Sequence, residues 1–120
     1  MEKTHRDTIL VEEAEIISHE AFPGDQYVMR VRAPGCAARA LPGQFAHITV
    51  DAQRPMRRPI SIMRASAGQG WLDFLYKVVG DGTALLAQRQ VGETISVMGP
   101  IGVPFEVNAR RPLLIGGGVG

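Results

Sequence analysis

The chain has 120 residues, 45% of them hydrophobic and 21% charged, with a net charge of +1. That is one domain's worth of ordinary globular sequence, long enough to bury a core. The charge balance excludes a polybasic nucleic-acid or membrane binder, no apolar run approaches the ~20 residues of a membrane span, and the polar start "MEKTHRDTILVEEAE" lacks a signal-peptide core; the expected location is cytoplasmic.

Strand patterns recur along the chain with turn signals between them. "TILVEEAEII", Thr8 to Ile17, is rich in β-branched residues, and Phe22 to Asp25 is a turn. "QYVMRVRA" sets Tyr27, Met29 and Val31 on one face and Arg30 and Arg32 on the other, the period of a half-buried strand. Pro42 and Gly43 open "QFAHITV"; "RRPISIMRA" follows, then "WLDFLYKVV" after a glycine turn, and "ETISVMGP" is the sixth strand. "DGTALLAQRQVG" breaks the period. Its helix formers predict a short helix, with Asp81 as N-cap, a face of Leu85, Leu86 and Arg89, and Gly92 as the stop. Six short strands and one helix predict an antiparallel barrel or sandwich. Met98 to Phe105, with two glycines and two prolines, reads as a loop. "PLLIGGG" then reads as a buried strand of another kind, which places a domain boundary near Asn108 to Arg111.

Few residues suit metal or hydrolytic chemistry. Cys36, the lone cysteine, lies in "APGCAARALPG", which reads as a loop, and it can hold neither an internal disulfide nor a zinc or iron–sulfur site by itself. His5, His19 and His47 show no metal-ligand spacing, and His47 reads as a barrel-wall residue. No carboxylate pair or Ser/His/Asp set stands out.

Two motifs ask for a phosphate-bearing ligand. In "RRPIS", the arginines offer planar forks for phosphate oxygens. Pro59 lacks an N–H and suits a strand edge, and Ser61 points to the same side as Pro59. In "LYKVVGDGT", a strand runs through a glycine turn into a helix start, where free N–H groups favour an anion. Gly82 permits close approach, Thr83 adds a hydroxyl, Tyr76 is placed to pack on an aromatic ring, and Lys77 lies on the opposite face from Tyr76. Read singly, each motif is more readily a solvated basic edge or an ordinary strand–helix turn. Together they suit a flavin or dinucleotide that performs the chemistry itself.

In order and at natural spacing, "LPGQF", "RRPISI", "LYKVVGDGT", "GETISVMGPIGVPF" and "PLLIGGGVG" resemble the flavin-binding domain of the ferredoxin–NADP reductase superfamily. Within it the pattern is most similar to the electron-transfer subunit of type B dihydroorotate dehydrogenase, an enzyme of pyrimidine biosynthesis; sulfide dehydrogenase and NADH-dependent ferredoxin:NADP reductase subunits share much of it. The resemblance implies an all-β fold: a six-stranded antiparallel Greek-key barrel with one short helix over residues 1–109. It implies that residues 110–120 are the truncated first strand of an α/β NAD(P)-binding domain. FAD would be held by Arg58, Pro59, Ile60, Ser61, Leu75, Tyr76, Lys77, Gly82 and Thr83. Arg58 would neutralise phosphate, Ser61 would lie near the isoalloxazine, and Gly82 and Thr83 would seat the pyrophosphate. Lys77 replaces the arginine usual in the family, and Gly99 to Gly102 would lie near the domain interface. The implied enzyme passes electrons between NAD(P)H, FAD and a [2Fe–2S] cluster beside a catalytic partner subunit. The chain carries neither the helix after the final glycines nor the cysteines of the cluster, so both of those sites are expected to be missing. The resemblance implies no nucleic acid and no membrane as partners, and an uncovered barrel face implies self-association. The competing expectation is a non-catalytic barrel serving as an interaction module. A nucleic-acid barrel fits poorly, because aromatics are only 6%.

Overall fold

The computed structural model describes residues 9–51, 53–106 and 110–116. Six strands make up the sheet: β1 Leu10–Phe22, β2 Gln26–Arg32, β3 Phe45–Asp51, β4 Arg54–Ser66, β5 Trp71–Lys77 and β6 Thr94–Ile101. Every pairing is antiparallel, and the order β1-β2-β5-β4-β3-β6 closes into a barrel, as the resemblance implies. Closure gives every strand a hydrogen-bonded neighbour on each side over at least part of its length. The interior is filled by Ala14 and Ile16, Met29 and Val31, Ala46, Ile48 and Val50, Leu72 and Phe74, and Ile95 and Val97. These are the every-second positions that pattern alone marks as inward. Among the described residues, no helix is long and apolar enough to cross a membrane.

Two short helices complete the fold, α1 Pro34–Arg39 and α2 Asp81–Ala87. The first corrects the expected loop around Cys36. Its N-cap residue, Ala33, has no capping side chain. Glu12 of β1 does that work: its carboxylate accepts the N–H groups of Gly35 and Cys36, both at 2.9 Å. A carboxylate at a helix start complements the dipole and the unpaired amides, but only folding brings residue 12 to residue 35. A Cβ on Gly35 would lie 2.6 Å from the end of the Leu10 side chain and 2.9 Å from a Glu12 carboxylate oxygen, so glycine lets the helix sit close to β1 without moving either side chain.

Four further expectations shift. The N-cap of α2 is Gly80, not Asp81, and the helix ends at Ala87. Gly92, at φ +94, instead turns the chain into β6, and its N–H donates to the Ile16 carbonyl at 2.9 Å. The expected loop from Met98 begins only at Gly102, because β1 and β3 both pair with β6 through that stretch. Leu113 to Ile115 are irregular and exposed rather than a buried strand. A strand of that kind exists only when neighbours take its backbone groups, and none of the described residues does so. Thr8, His5 and Gly117 to Gly120 lie outside the described residues.

On the outer face, Asp73 is almost fully buried beneath two arginines. Arg30 of β2 reaches it through Nε at 2.8 Å and Nη2 at 3.1 Å, and Arg64 of β4 through Nε at 3.1 Å. Arg30 also lies 3.6 Å from the centre of the Trp71 ring. One carboxylate thereby ties three neighbouring strands.

Burial, with Glu12 nearby as a smaller cause, pushes the Cys36 thiol up to about 12. An unfolded-chain thiol ionises near 9. The native state therefore retains a proton that the unfolded chain releases above pH 9, and stability falls with rising pH between 9 and 12, by at most ~1.4 kcal/mol per pH unit from this group. A thiol-reactive chromogenic disulfide at pH 8 is expected to leave Cys36 unlabelled in the folded protein and to label it fully in denaturant.

Candidate functional site

The β4–β5 ladder pairs Ser66 with Trp71, Ala65 with Leu72, Arg64 with Asp73 and Ile62 with Phe74, and stops there. From that point β4 pairs only with β3, from Phe45↔Ser61 to Asp51↔Arg54. β5 pairs only with β2, through Val28↔Leu75, Tyr27↔Tyr76 and Gln26↔Lys77. The two strands part, and the wall opens between residues 58–61 and 75–77. Pro59 suits this edge because it has no N–H to leave unpaired.

The opening is a hollow of about 280 Å³ lined by Pro59, Ile60, Ser61, Leu75, Tyr76, Lys77, Val79 and Thr83. Seven of the nine residues proposed from sequence thus line a single cavity. Arg58 and Gly82 line the adjoining hollow of about 300 Å³ with Val50, Gln53, Arg54, Pro55 and Met56. Gly82 on one side and Thr83 on the other make the first turn of α2 the divider between the two. Val79, 81% exposed in the first hollow, was not singled out from sequence; its position in the strand-to-helix turn was the available signal.

Charge is concentrated at that divider. A Cβ on Gly82 would lie 2.7 Å from Arg58 Nε, so the arginine side chain lies directly against the start of α2. Among the described residues, Arg58 makes no hydrogen bond or ion pair. Asp81, Gly82 and Thr83 occupy the first helical turn, whose N–H groups have no acceptor within the helix. A free guanidinium beside free amides is the donor set that a phosphate or pyrophosphate needs. Thr83 lines the hollow, and its hydroxyl is already engaged with the turn backbone. Its Oγ1 accepts the N–H of Val79 at 2.9 Å and of Gly80 at 3.2 Å, and it lies 3.2 Å from the Gly80 carbonyl. The hydroxyl shapes the turn.

Arg57 and Arg58 point apart, as neighbours in a strand do. Arg57 reaches across β3, donating to the His47 carbonyl at 3.3 Å, the Ser96 carbonyl at 3.4 Å and Ser96 Oγ at 2.9 Å. It anchors β4 to β6 in the stretch where β4 has lost β5. His47 is a wall residue as expected, with its ring 5.5 Å from that of Phe45.

Tyr76 lines the hollow with its ring turned largely into the barrel. Its ring is only 4% exposed and stacks on Tyr27, with centroids 5.4 Å apart and planes 13° apart. Burial first, and Tyr27 second, push its phenol well above the ordinary tyrosine range. The ring belongs to the barrel interior because residue 76 continues the inward series of Leu72 and Phe74. Pro59, Ser61 and Lys77 are exposed, and Ile60 is buried as part of the cavity floor. No group of acids, histidines and cysteines that could hold a metal occurs among the described residues.

A hollow with an apolar floor, a charged divider and a second hollow beyond it fits a flat ring joined through phosphates to a second arm. Residues 8–105 match the family model for the oxidoreductase FAD-binding domain. The chain belongs to that family. It is 45% identical over 85 residues to a protein of Bacillus caldolyticus named dihydroorotate dehydrogenase B (NAD(+)), electron transfer subunit, a match that covers 66% of this chain and 33% of the relative. A protein of the same name from Streptococcus thermophilus is 33% identical over 117 residues, covering 93% and 45%. The chain spans less than half the length of the curated relatives it matches. Among solved structures, an NADH-dependent reduced ferredoxin-NADP oxidoreductase superposes with a TM-score of 0.73 at 30% identity, covering 78% of this chain and 34% of the other. The ferredoxin reductase of carbazole 1,9a-dioxygenase gives 0.67 at 29%, covering 78% and 29%. This is the ferredoxin reductase-like barrel.

Gly82→Ala separates the stability of α2 from the charge at its start. Alanine favours the helix by up to ~1 kcal/mol, while its Cβ displaces Arg58. The expected outcome is a melting temperature that holds or rises together with FAD affinity that falls roughly tenfold, read by flavin fluorescence quenching. Affinity equal to that of the parent would show that Arg58's position is immaterial.

Proposed function

We propose that this FAD-binding domain is the flavin module of an NAD(P)H-linked oxidoreductase of the dihydroorotate dehydrogenase B electron-transfer type. The parent enzyme moves electrons between NAD(H), FAD and an iron–sulfur centre, beside a catalytic partner subunit, in the cytoplasm and in service of pyrimidine biosynthesis. The observation that carries the reading is the opened β4–β5 wall, with Arg58, which has no hydrogen bond or ion pair among the described residues, against the start of α2. The names of the relatives support the finer assignment.

FAD, when bound, supplies the exchange between two-electron hydride chemistry and one-electron transfer. The protein's share is binding and orientation. Arg58 and the first-turn amides of α2 neutralise the pyrophosphate. Ser61, exposed on the β4 edge, offers a hydroxyl to the polar rim of the flavin ring. Ile60 and Leu75 give the ring an apolar floor that excludes water. Lys77 adds a charge at the far lip of the hollow; as an ammonium it acts as a point charge and lacks the two-pronged contact of arginine.

Residues 1–109 make up the barrel domain in this reading, and residues 110–120 begin the nucleotide-binding domain. The end of β6 at Ile101 and the family match ending at residue 105 support that division. Leu113, Leu114 and Ile115 are 78–87% exposed, which suits a segment that packs into further structure or against a second copy. Light scattering that finds only monomer counts against self-association.

The test is direct. Apoprotein titrated with FAD should quench flavin fluorescence, and purified holoprotein should be yellow. Arg58→Ala should weaken binding by roughly tenfold or more, the loss of a charge-assisted hydrogen bond, and the deficit should shrink as salt screens the parent protein. A folded protein that never quenches flavin would sink the FAD assignment. In the full-length enzyme, NADH should bleach the visible flavin band.

A further inference from the structure

His19 lies outside the groove yet ties together the two elements that form it. It sits on β1 opposite Met29, on the inward side. Its Nδ1 is 2.8 Å from the Arg89 carbonyl oxygen, and its Nε2 is 2.7 Å from the Tyr76 hydroxyl. A carbonyl only accepts, so Nδ1 carries the proton and Nε2 accepts from the phenol. The raised ionisation of Tyr76 keeps that phenol a donor. His19 and Tyr27 are in ring contact at 5.4 Å, which closes a three-ring cluster with Tyr76.

Both ends of this bridge lead to the flavin site. Tyr76 stands between Leu75 and Lys77, on the stretch of β5 that has lost β4 and is held from one side only. Arg89 closes the turn after α2, its N–H donating to the Leu86 carbonyl at 3.1 Å. The opposite end of α2 carries Gly82 and Thr83. A helix of seven residues does not hold itself in place, and a half-paired strand end is similarly free to shift. Both depend on an outside tie.

We propose that His19 is a positioning residue for the flavin. It fixes the spacing between the β5 edge and α2 through the Tyr76 hydroxyl and the Arg89 carbonyl, and so sets FAD affinity from outside the binding cavity. The proposal rests on the FAD reading above. Glutamine reproduces the pattern, because its amide N–H can donate to Arg89 while its carbonyl accepts from Tyr76; phenylalanine keeps the ring and loses both bonds.

FAD dissociation constants of the parent, Tyr76→Phe, His19→Phe and His19→Gln proteins test it, with amide hydrogen exchange on each apoprotein. Tyr76→Phe and His19→Phe should each weaken FAD binding roughly three- to tenfold, the loss of one hydrogen bond, while His19→Gln stays within about twofold of the parent. Exchange should quicken at residues 77–84 and remain unchanged at Met29 and Val31. Should His19→Phe fail to fold, Tyr76→Phe decides the question. The proposal is overturned if folded Tyr76→Phe binds FAD as the parent does, or if His19→Gln is as weak as His19→Phe. A parent protein that binds no FAD overturns the flavin reading and this proposal with it; a parent that binds, with unaffected variants, overturns this proposal alone.

Discussion

Everything functional in this barrel follows from the place where one ladder stops. Past Ile62 and Phe74, β4 and β5 no longer share hydrogen bonds. Two strand edges are thereby left facing each other across a hollow, inside a barrel whose other pairings continue. An exposed pair of edges is costly in a sheet, and here it opens the hollow that forms the candidate site. A proline at the β4 edge removes one donor from that account. The ring-shaped closure keeps the remaining wall stiff enough for the opening to hold its shape.

The supports around the opening are placed accordingly. On the closed half, Asp73 ties β2, β5 and β4 through Arg30 and Arg64 just before the ladder ends. On the open half, each strand takes its tie from elsewhere. Arg57 anchors β4 to β6 over the top of β3, and the Tyr76 hydroxyl anchors β5 to β1 through His19. The short α2 packs toward β3, with Leu86 in the core and Gly82 against Arg58. None of these supports is a strong interaction alone. The Arg57 and Tyr76 ties act where the ladder has left the backbone with one strand neighbour instead of two, and the Asp73 tie acts just before that point.

Much of the site was legible because motif and geometry coincide. "RRPIS" and "LYKVVGDGT" carry the arginine, the edge proline, the exposed serine and the strand-to-helix turn in adjacent positions, and strand alternation alone sorts Pro59 and Ser61 from Ile60. Local chemistry misled where two neighbours could play the same part. Asp81 is a good N-cap residue, but Gly80 takes the position and Thr83 closes the turn. Tyr76 looked like a ring for the ligand, yet its place in the inward series of β5 assigns it to Tyr27 and His19. His19 itself had no signal in sequence, because its partners are 57 and 70 residues away. The helix at Cys36 was missed for the same reason, since its cap is a glutamate on another strand.

What the sequence alone determined is the periodic part: six strands with a period of two, a short helical break, the inward residues, and two motifs whose residue types fit a flavin with phosphates. Those are local properties, readable over a few positions. Only the tertiary structure decided where β4 and β5 separate, which arginine lines the hollow and which braces the barrel, and which ring the tyrosine meets. These depend on register and closure, which bring together residues far apart in the chain, and no stretch of sequence short enough to read by pattern contains both partners.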